Sequence, residues 1–149
     1  MKEKIIVSAC LLGRPTRYDG KSVNYPDVAA LCEKYDIIEV CSEVMGGLPT
    51  PRTPSERVGD RVVMRDGRDV TREFLLGAER VYEICLSHNI KKAVLKEKSP
   101  SCGMGKIYDG SFSGRLADGN GVLTEYLISR GISVYGESRI GELLRDEEE

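Results

Sequence analysis

Four short runs rich in β-branched residues recur along the chain, and segments with helical periodicity separate them. The runs are Lys4 to Ser8, Asp36 to Val40, Lys92 to Lys96 and Ile132 to Tyr135. The helical patterns begin at Pro26 and continue through Cys32, and then cover Arg72 to His88, Val122 to Ser129 and Ser138 to Arg145. Alternation of this kind favours βαβ units with right-handed crossovers and a mostly parallel sheet. We therefore expect an α/β fold with Rossmann-like or flavodoxin-like architecture.

Two insertions interrupt this alternation. The segment from Gly46 to Pro54 is too rich in glycine and proline for regular structure, which predicts a surface loop. A small hairpin is predicted where Arg61 to Met64 is followed by the turn dipeptide Asp66-Gly67 and then by Arg68 to Val70.

Length, charge and cysteine content narrow the class of protein. With 149 residues and no repeat or linker, we expect a single domain over residues 1–149 that ends in an acidic tail, 146–149. The net charge of −2 gives no strong nucleic-acid signal and no attraction to a membrane surface. Five cysteines, an odd number, suit a secreted disulfide framework poorly, and the apolar stretch near the start is too short for a signal peptide. A cytoplasmic protein is expected, and its oligomeric state is left open.

Three cysteines fall at equivalent places relative to the predicted strands. Cys10 and Cys41 follow the first and second strands, and Cys102 lies a few residues after the third. Parallel strands end at one edge of the sheet, where such folds bind ligands, so we expect the three thiols to lie together. Cys32 and Cys85 lie inside helical patterns instead, which predicts that both are buried as small apolar side chains.

The kind of site follows from the ligand types. Packing beneath a loop and a disulfide between two of the thiols are the alternatives to metal binding, but nearby glycines offer backbone N–H groups that stabilise thiolates. The chain has no Cys-x-x-Cys pair of the sort found in closed zinc sites. Three thiolates with an open position suit a catalytic zinc or a four-iron cluster. The lone His88 ends a helix, so sulfur-only ligation favours the cluster, with zinc as the alternative.

Several sequence blocks resemble one known family. The chain is similar to the domain of unknown function 523 family, whose characterised relatives are thiouracil desulfurases. The blocks that carry the resemblance cover nearly the whole chain and are Val7 to Gly13, Arg17 to Gly20, Cys41 to Arg52, Ser99 to Gly103 and Ile107 to Gly110. One departure is Ser42, where many relatives have proline, although the neighbouring thiol and Glu43 are retained.

The resemblance implies a cofactor and a reaction. Cys10, Cys41 and Cys102 would ligate a [4Fe-4S] cluster with one open iron, which air would destroy. In the desulfurases such an iron takes the sulfur of a thiocarbonyl group while water supplies the replacing oxygen, without net redox change. The implied partner is a small thiolated molecule, such as a thiolated nucleobase.

Further residues next to these motifs are candidates for catalysis and substrate binding. We expect Glu43 to act as the acid or base that transfers protons, and Ser101 to form a hydrogen bond with the substrate or with a cluster sulfide. For each of them, capping of the loop backbone is the alternative role. The candidates for substrate binding are Arg17, Tyr18, Asp19 and Arg52. The alternatives are an exposed surface turn for the first three and a solvated charge for Arg52. Two other functions stay open: a non-catalytic metal or iron-sulfur cluster binding protein, and a nucleotide-binding α/β module.

Overall fold

The computed structural model describes residues 2–12 and 27–145 of the chain, which form eight strands and five α-helices. The strands are β1 (Lys4–Ser8), β2 (Asp36–Val40), β3 (Ser55–Val58), β4 (Arg61–Met64), β5 (Lys92–Leu95), β6 (Lys106–Tyr108), β7 (Leu116–Asp118) and β8 (Ser133–Gly136). The helices are α1 (Asp27–Lys34), α2 (Ser42–Met45), α3 (Thr71–His88), α4 (Val122–Ser129) and α5 (Ile140–Arg145).

The central sheet consists of four parallel strands in the order β2-β1-β5-β8. The chain runs from β1 through α1 to β2 and then returns to place β5 on the other side of β1. This strand order has a switch point between β1 and β5, where open α/β sheets form a crevice beyond the carboxyl ends of the strands. The predicted α/β fold with a mostly parallel sheet is confirmed.

Apolar side chains of β1 alternate between the two faces of the sheet. Ile6 joins a hydrophobic core that includes residues of α3 and α4, whereas Ile5 and Val7 join a second core with residues of α1 and α5. All three side chains are fully buried, as expected for a central strand whose successive residues point to opposite faces. Helices therefore cover both faces of the sheet.

Two antiparallel hairpins lie outside the central sheet. β3 pairs with β4 through a turn at Gly59 and Asp60, and β6 pairs with β7. The predicted turn at Asp66-Gly67 brings Asp69 into a single bridge with Val63, but the main partner of β4 is β3. The strand β3 and the hairpin β6–β7 were not predicted because their runs of three or four residues carry little periodicity.

Cys32 corrects one expectation from the sequence. It is exposed, whereas Cys85 is buried as predicted. Val28 and Leu31 are the residues of α1 that pack inward, and Cys32 follows Leu31 by one residue, about 100° further around the helix. The eight-residue helix thus presents a narrow apolar stripe that leaves out this cysteine.

Within the described residues, no helix combines the length and the apolar character needed to cross a bilayer. The predicted tail at 146–149 lies outside these residues.

Candidate metal centre

Cys10, Cys41 and Cys102 all line one cavity of about 360 Å³ at the carboxyl edge of the sheet. Cys10 lies in a 3-10 turn directly after β1, and Cys41 is the residue between β2 and α2. Cys10 and Cys102 are each 8% exposed, and Cys41 is half-buried. The structure thus brings together three thiols that come from widely separated parts of the sequence.

The Cys102 thiol has a raised pKa. Burial raises the pKa of its thiol to about 12, although hydrogen bonds from Ser101 and Ser8 oppose the rise, and the nearby Cys41 and Cys10 thiols add to it. The Ser101 and Ser8 hydroxyls lie 3.5 and 3.6 Å from Cys102 Sγ. A metal that binds this sulfur must therefore displace a firmly held proton.

The loop that carries Cys102 is fixed by the start of α4. Backbone N–H groups of Val122 and Leu123 donate to the carbonyl oxygens of Pro100 and Ser101, each at 2.8 Å. Gly121 permits this close approach, since a Cβ atom there would lie 2.3 Å from the Ser101 carbonyl carbon. The N–H groups at the N-terminus of α4, which have no partners within the helix, thus help to hold this loop.

Ser8 ties the ends of two strands to the same thiol. Its hydroxyl accepts a hydrogen bond from the Lys96 N–H at 3.0 Å while it donates to Cys102 Sγ. Because Ser8 ends β1 and Lys96 follows β5, this hydrogen bond joins the carboxyl ends of the two strands at the switch point.

Glu43 is held at both carboxylate oxygens. Arg52 Nε donates to Glu43 Oε1 at 3.0 Å, and Ser101 Oγ donates to Glu43 Oε2 at 2.9 Å. The Arg52 side chain is 3% exposed and the Glu43 side chain 13% exposed, so the ion pair is shielded from solvent. Arg52 also donates to the Pro49 carbonyl and to Thr50 Oγ1, which ties the Gly/Pro-rich loop to the carboxylate.

The position of Glu43 depends on close packing of α2 against α3. A Cβ atom at Gly77 would lie 1.9 Å from the Ser42 carbonyl oxygen, and one at Gly46 would lie 1.9 Å from the Glu73 carbonyl oxygen. Only glycine allows the two backbones to approach so closely. Gly77 was not recognised from the sequence, where it lies within a regular helical pattern.

The donor set, three thiols that line one cavity, suits an iron-sulfur cluster. Among the described residues, no group of three His, Cys, Asp or Glu side chains is arranged to hold one metal ion. The three thiols share a cavity, and the Cys10 and Cys41 thiols help to raise the pKa of the Cys102 thiol. Cluster ligands bind different iron atoms, so their sulfurs need not converge on one point as they do around zinc. Thiolates are also the usual ligands of such clusters, and we conclude that the residues fit one.

The Ser42 hydroxyl lacks a polar partner within the described residues. Its hydroxyl is buried and, within the described part of the chain, has no hydrogen-bond partner, while the residue lines the same cavity. Such orphaned groups in folded proteins usually mark a water, an ion or a ligand. A polar group of a ligand bound in the cavity would satisfy this hydroxyl.

The other predicted site residues divide into two sets. Glu43, Ser101 and Arg52 line the cavity together with the three cysteines. Arg17, Tyr18 and Asp19 lie outside the described residues, so their predicted place at the entrance stays a prediction. Among the cavity-lining residues that were not predicted from the sequence are Glu56, Arg65, Lys98, Tyr108 and Phe112. They come from the two hairpins and from the loop after β5. The sequences of these segments contain no pattern that predicts their position beside the cavity.

Comparisons with known proteins point in one direction. A family model described as 2-thiouracil desulfurase matches residues 5–139. A solved structure described as a [4Fe-4S]-dependent thiouracil desulfidase, TudS, is similar with a TM-score of 0.90 and 51% identity, over 95% of each chain. Its description also names DUF523, the family that the sequence resembles. The uncharacterized protein YbbK of Bacillus subtilis (strain 168) is 34% identical over 150 residues, which covers 94% of this chain and 99% of YbbK.

Proposed function

This chain belongs to the 2-thiouracil desulfurase family, and on that premise we propose that it removes sulfur from thiouracil or a related thiocarbonyl compound in a [4Fe-4S]-dependent, non-redox reaction. The observation that carries the proposal is the position of the Ser101 hydroxyl, whose single proton can donate either to Glu43 Oε2 or to Cys102 Sγ, on the wall of a cavity lined by three thiols. This arrangement supports a proton-handling role for Glu43 beside the proposed ligands.

Cys10, Cys41 and Cys102 are the residues that would hold the cluster. When bound, the cluster supplies a Lewis-acidic iron that draws electron density from a thiocarbonyl sulfur. The overall change exchanges C=S and H₂O for C=O and H₂S, so protons move but no external electron donor or acceptor is needed.

Glu43 is proposed to manage these protons. As a general base its carboxylate takes a proton from the water that attacks the thiocarbonyl carbon, and as a general acid it returns the proton to the departing sulfur. Ser101 Oγ lies 2.9 Å from Glu43 Oε2 and 3.5 Å from Cys102 Sγ, which suits it to orient the carboxylate beside the proposed ligand. Arg52 holds Oε1 and so keeps the carboxylate directed at the cavity. The predicted role of Arg52 in substrate binding stays a prediction.

Anaerobic reconstitution tests the cluster. After treatment with iron and sulfide the protein should turn brown and bind about four irons per chain. Replacing Cys10, Cys41 or Cys102 singly with alanine should abolish incorporation, while Cys32→Ala, a matched control at an exposed position, should leave it unchanged. Tight zinc binding together with failure to bind iron would refute the cluster.

A Glu43→Gln variant tests the reaction. Because general acid–base catalysis contributes about 10²- to 10⁴-fold, sulfide release from 2-thiouracil should slow by at least about 10² while iron content stays the same. Full activity in this variant would refute the proton role of Glu43. Reconstituted wild-type protein that holds its cluster but releases no sulfide would instead be a non-catalytic cluster-binding protein.

A further inference from the structure

The end of β6 and the loop between β6 and β7 form part of the cavity wall. Tyr108, Phe112 and Gly114 line the same cavity as the three thiols and Glu43. Phe112 is half-buried and belongs to neither of the two hydrophobic cores. Core packing therefore does not account for an aromatic side chain at this position.

The backbone at Phe112 is strained. Its φ angle of 57° lies in the left-handed region, which residues with a bulky side chain rarely adopt. Such conformations cost free energy and persist where the surrounding structure enforces them, commonly at functional sites.

Glu56 supplies the constraint from β3. Its carboxylate is 8% exposed, and Oε1 accepts the N–H groups of Gly110 at 2.8 Å and Phe112 at 3.1 Å. Asp109 Oδ1 accepts the intervening N–H of Ser111 at 2.8 Å. Two carboxylates thus hold three successive backbone amides, and the one from Glu56 comes from a distant hairpin.

Arg65 packs on the Phe112 ring from the same hairpin. Its guanidinium carbon lies 5.5 Å from the ring centroid, and its backbone N–H donates to the Pro54 carbonyl at 2.9 Å. A cation over an aromatic ring favours a fixed ring orientation. The ring is thus constrained through its backbone by Glu56 and through its side chain by Arg65.

We propose that Phe112 determines specificity by stacking on the planar ring of a thiolated heteroaromatic substrate, and that Glu56 is a positioning residue that acts through Phe112. The thiols, Glu43 and Ser101 supply polar chemistry, while the Phe112 ring supplies an aromatic surface in the same cavity. Aromatic substrates gain affinity from this surface, and aliphatic thioamides do not. The choice of a thiolated ring rests on the proposed function, but the stacking surface does not.

Binding of uracil, the desulfurated product, tests the stacking without turnover. Dihydrouracil is the matched ligand, because it has the same polar groups on a ring that is neither planar nor aromatic. By isothermal titration calorimetry, reconstituted wild-type protein should bind uracil more tightly than dihydrouracil. Phe112→Leu should weaken uracil binding by about 5- to 150-fold and leave dihydrouracil binding nearly unchanged, whereas Phe112→Tyr should retain the preference.

Leu116→Ala is the control, since Leu116 is exposed on the neighbouring strand β7 and does not line the cavity. It should bind both ligands as the wild type does. Equal affinity of the wild type for the two ligands, or undiminished uracil binding by Phe112→Leu, would overturn the proposal.

A double-variant cycle tests Glu56. Glu56→Ala should weaken uracil binding, and Glu56→Gln, which keeps an oxygen that can accept the two N–H groups, should restore most of it. In the Phe112→Leu background Glu56→Ala should have no further effect on uracil binding. Additive losses would show that Glu56 acts on the fold rather than through Phe112.

Sulfide release separates this proposal from the proposed function. If the wild type prefers uracil in a Phe112-dependent way but releases no sulfide from 2-thiouracil, the desulfurase function fails and the stacking surface stands. The opposite outcome is also distinguishable. If the wild type releases sulfide, and Phe112→Leu has the KM and kcat of the wild type for both 2-thiouracil and thioacetamide, the desulfurase function stands and the stacking role of Phe112 fails.

Discussion

The Ser42 hydroxyl is buried beside the cysteine cavity and has no hydrogen-bond partner within the described residues. We expect Ser42→Ala to act in opposite directions on the two forms of the protein. Without the cluster, removal of an unsatisfied hydroxyl should raise the free energy of unfolding by about 1 kcal/mol, measured by urea denaturation. With the cluster, loss of a hydrogen-bond donor should shorten its lifetime in air, followed by the decay of its visible absorption. An unchanged lifetime would show that the hydroxyl does not contact the cluster.

Asp69 makes the protein sensitive to acid at the start of α3. Hydrogen bonds from the Thr71 side chain and backbone, and from Arg61, lower the pKa of the Asp69 carboxyl to about 2. A carboxyl group whose pKa is lower in the folded state stabilises the fold above its unfolded pKa, near 4, and this stabilisation is lost as pH falls through 4 toward 2.

The corresponding variant is Asp69→Asn. Its unfolding free energy should lie below that of the wild type above pH about 5, and the difference should shrink as pH falls toward 2. Urea denaturation across this pH range measures both. A difference that does not change with pH would mean that the charge of Asp69 contributes nothing.

Among the elements, the close contact of α2 with α3 determines where Cys41 and Glu43 lie. We expect Gly77→Ala to lower the free energy of unfolding by about 1–3 kcal/mol, because the added Cβ atom would overlap the Ser42 carbonyl oxygen. It should also lower the iron bound after reconstitution, since α2 must shift.

Gly141→Ala is the matched control in α5. There the added Cβ atom meets only the Arg145 side chain at 3.3 Å, so the usual gain of about 0.5–1 kcal/mol for alanine over glycine in a helix is expected. Both variants are compared by thermal and urea denaturation. Destabilisation by both, to the same extent, would refute the proposed role of the α2–α3 contact.

The sequence predicts those elements whose signal is local. β1 and α3 follow from runs long enough to show periodicity, and the parallel sheet then places Cys10 and Cys41 at one edge. Gly77 could not be singled out, because its role depends on a backbone that lies against it in the folded chain. Likewise, Glu56 and the loop it holds are more than 50 residues apart in the sequence, and their hydrogen bonds leave no pattern in either segment.

For the whole molecule, both hydrophobic cores depend on the same four-stranded sheet. One core lies between the sheet and α3 and α4, and the other between the sheet and α1 and α5. Loss of either core exposes β1, whose side chains belong to both. We therefore propose that the chain folds as a single domain over residues 1–149.

A single domain should unfold in one cooperative step. The chain has no tryptophan and seven tyrosines, so tyrosine fluorescence reports tertiary structure and far-ultraviolet circular dichroism reports helices. In urea the two signals should change with the same midpoint for the cluster-free protein. Separate midpoints would show that the two faces of the sheet unfold independently.

The anchoring of the Cys102 loop on the first turn of α4 has a consequence for the timing of maturation in a cell. Val122 and Leu123 hold that loop, so its thiol cannot take its final place until they have left the ribosome. A nascent chain that displays only Cys10 and Cys41 offers two unconnected thiols rather than a binding site. With the three proposed ligands, the complete binding site therefore exists only in a nearly finished chain.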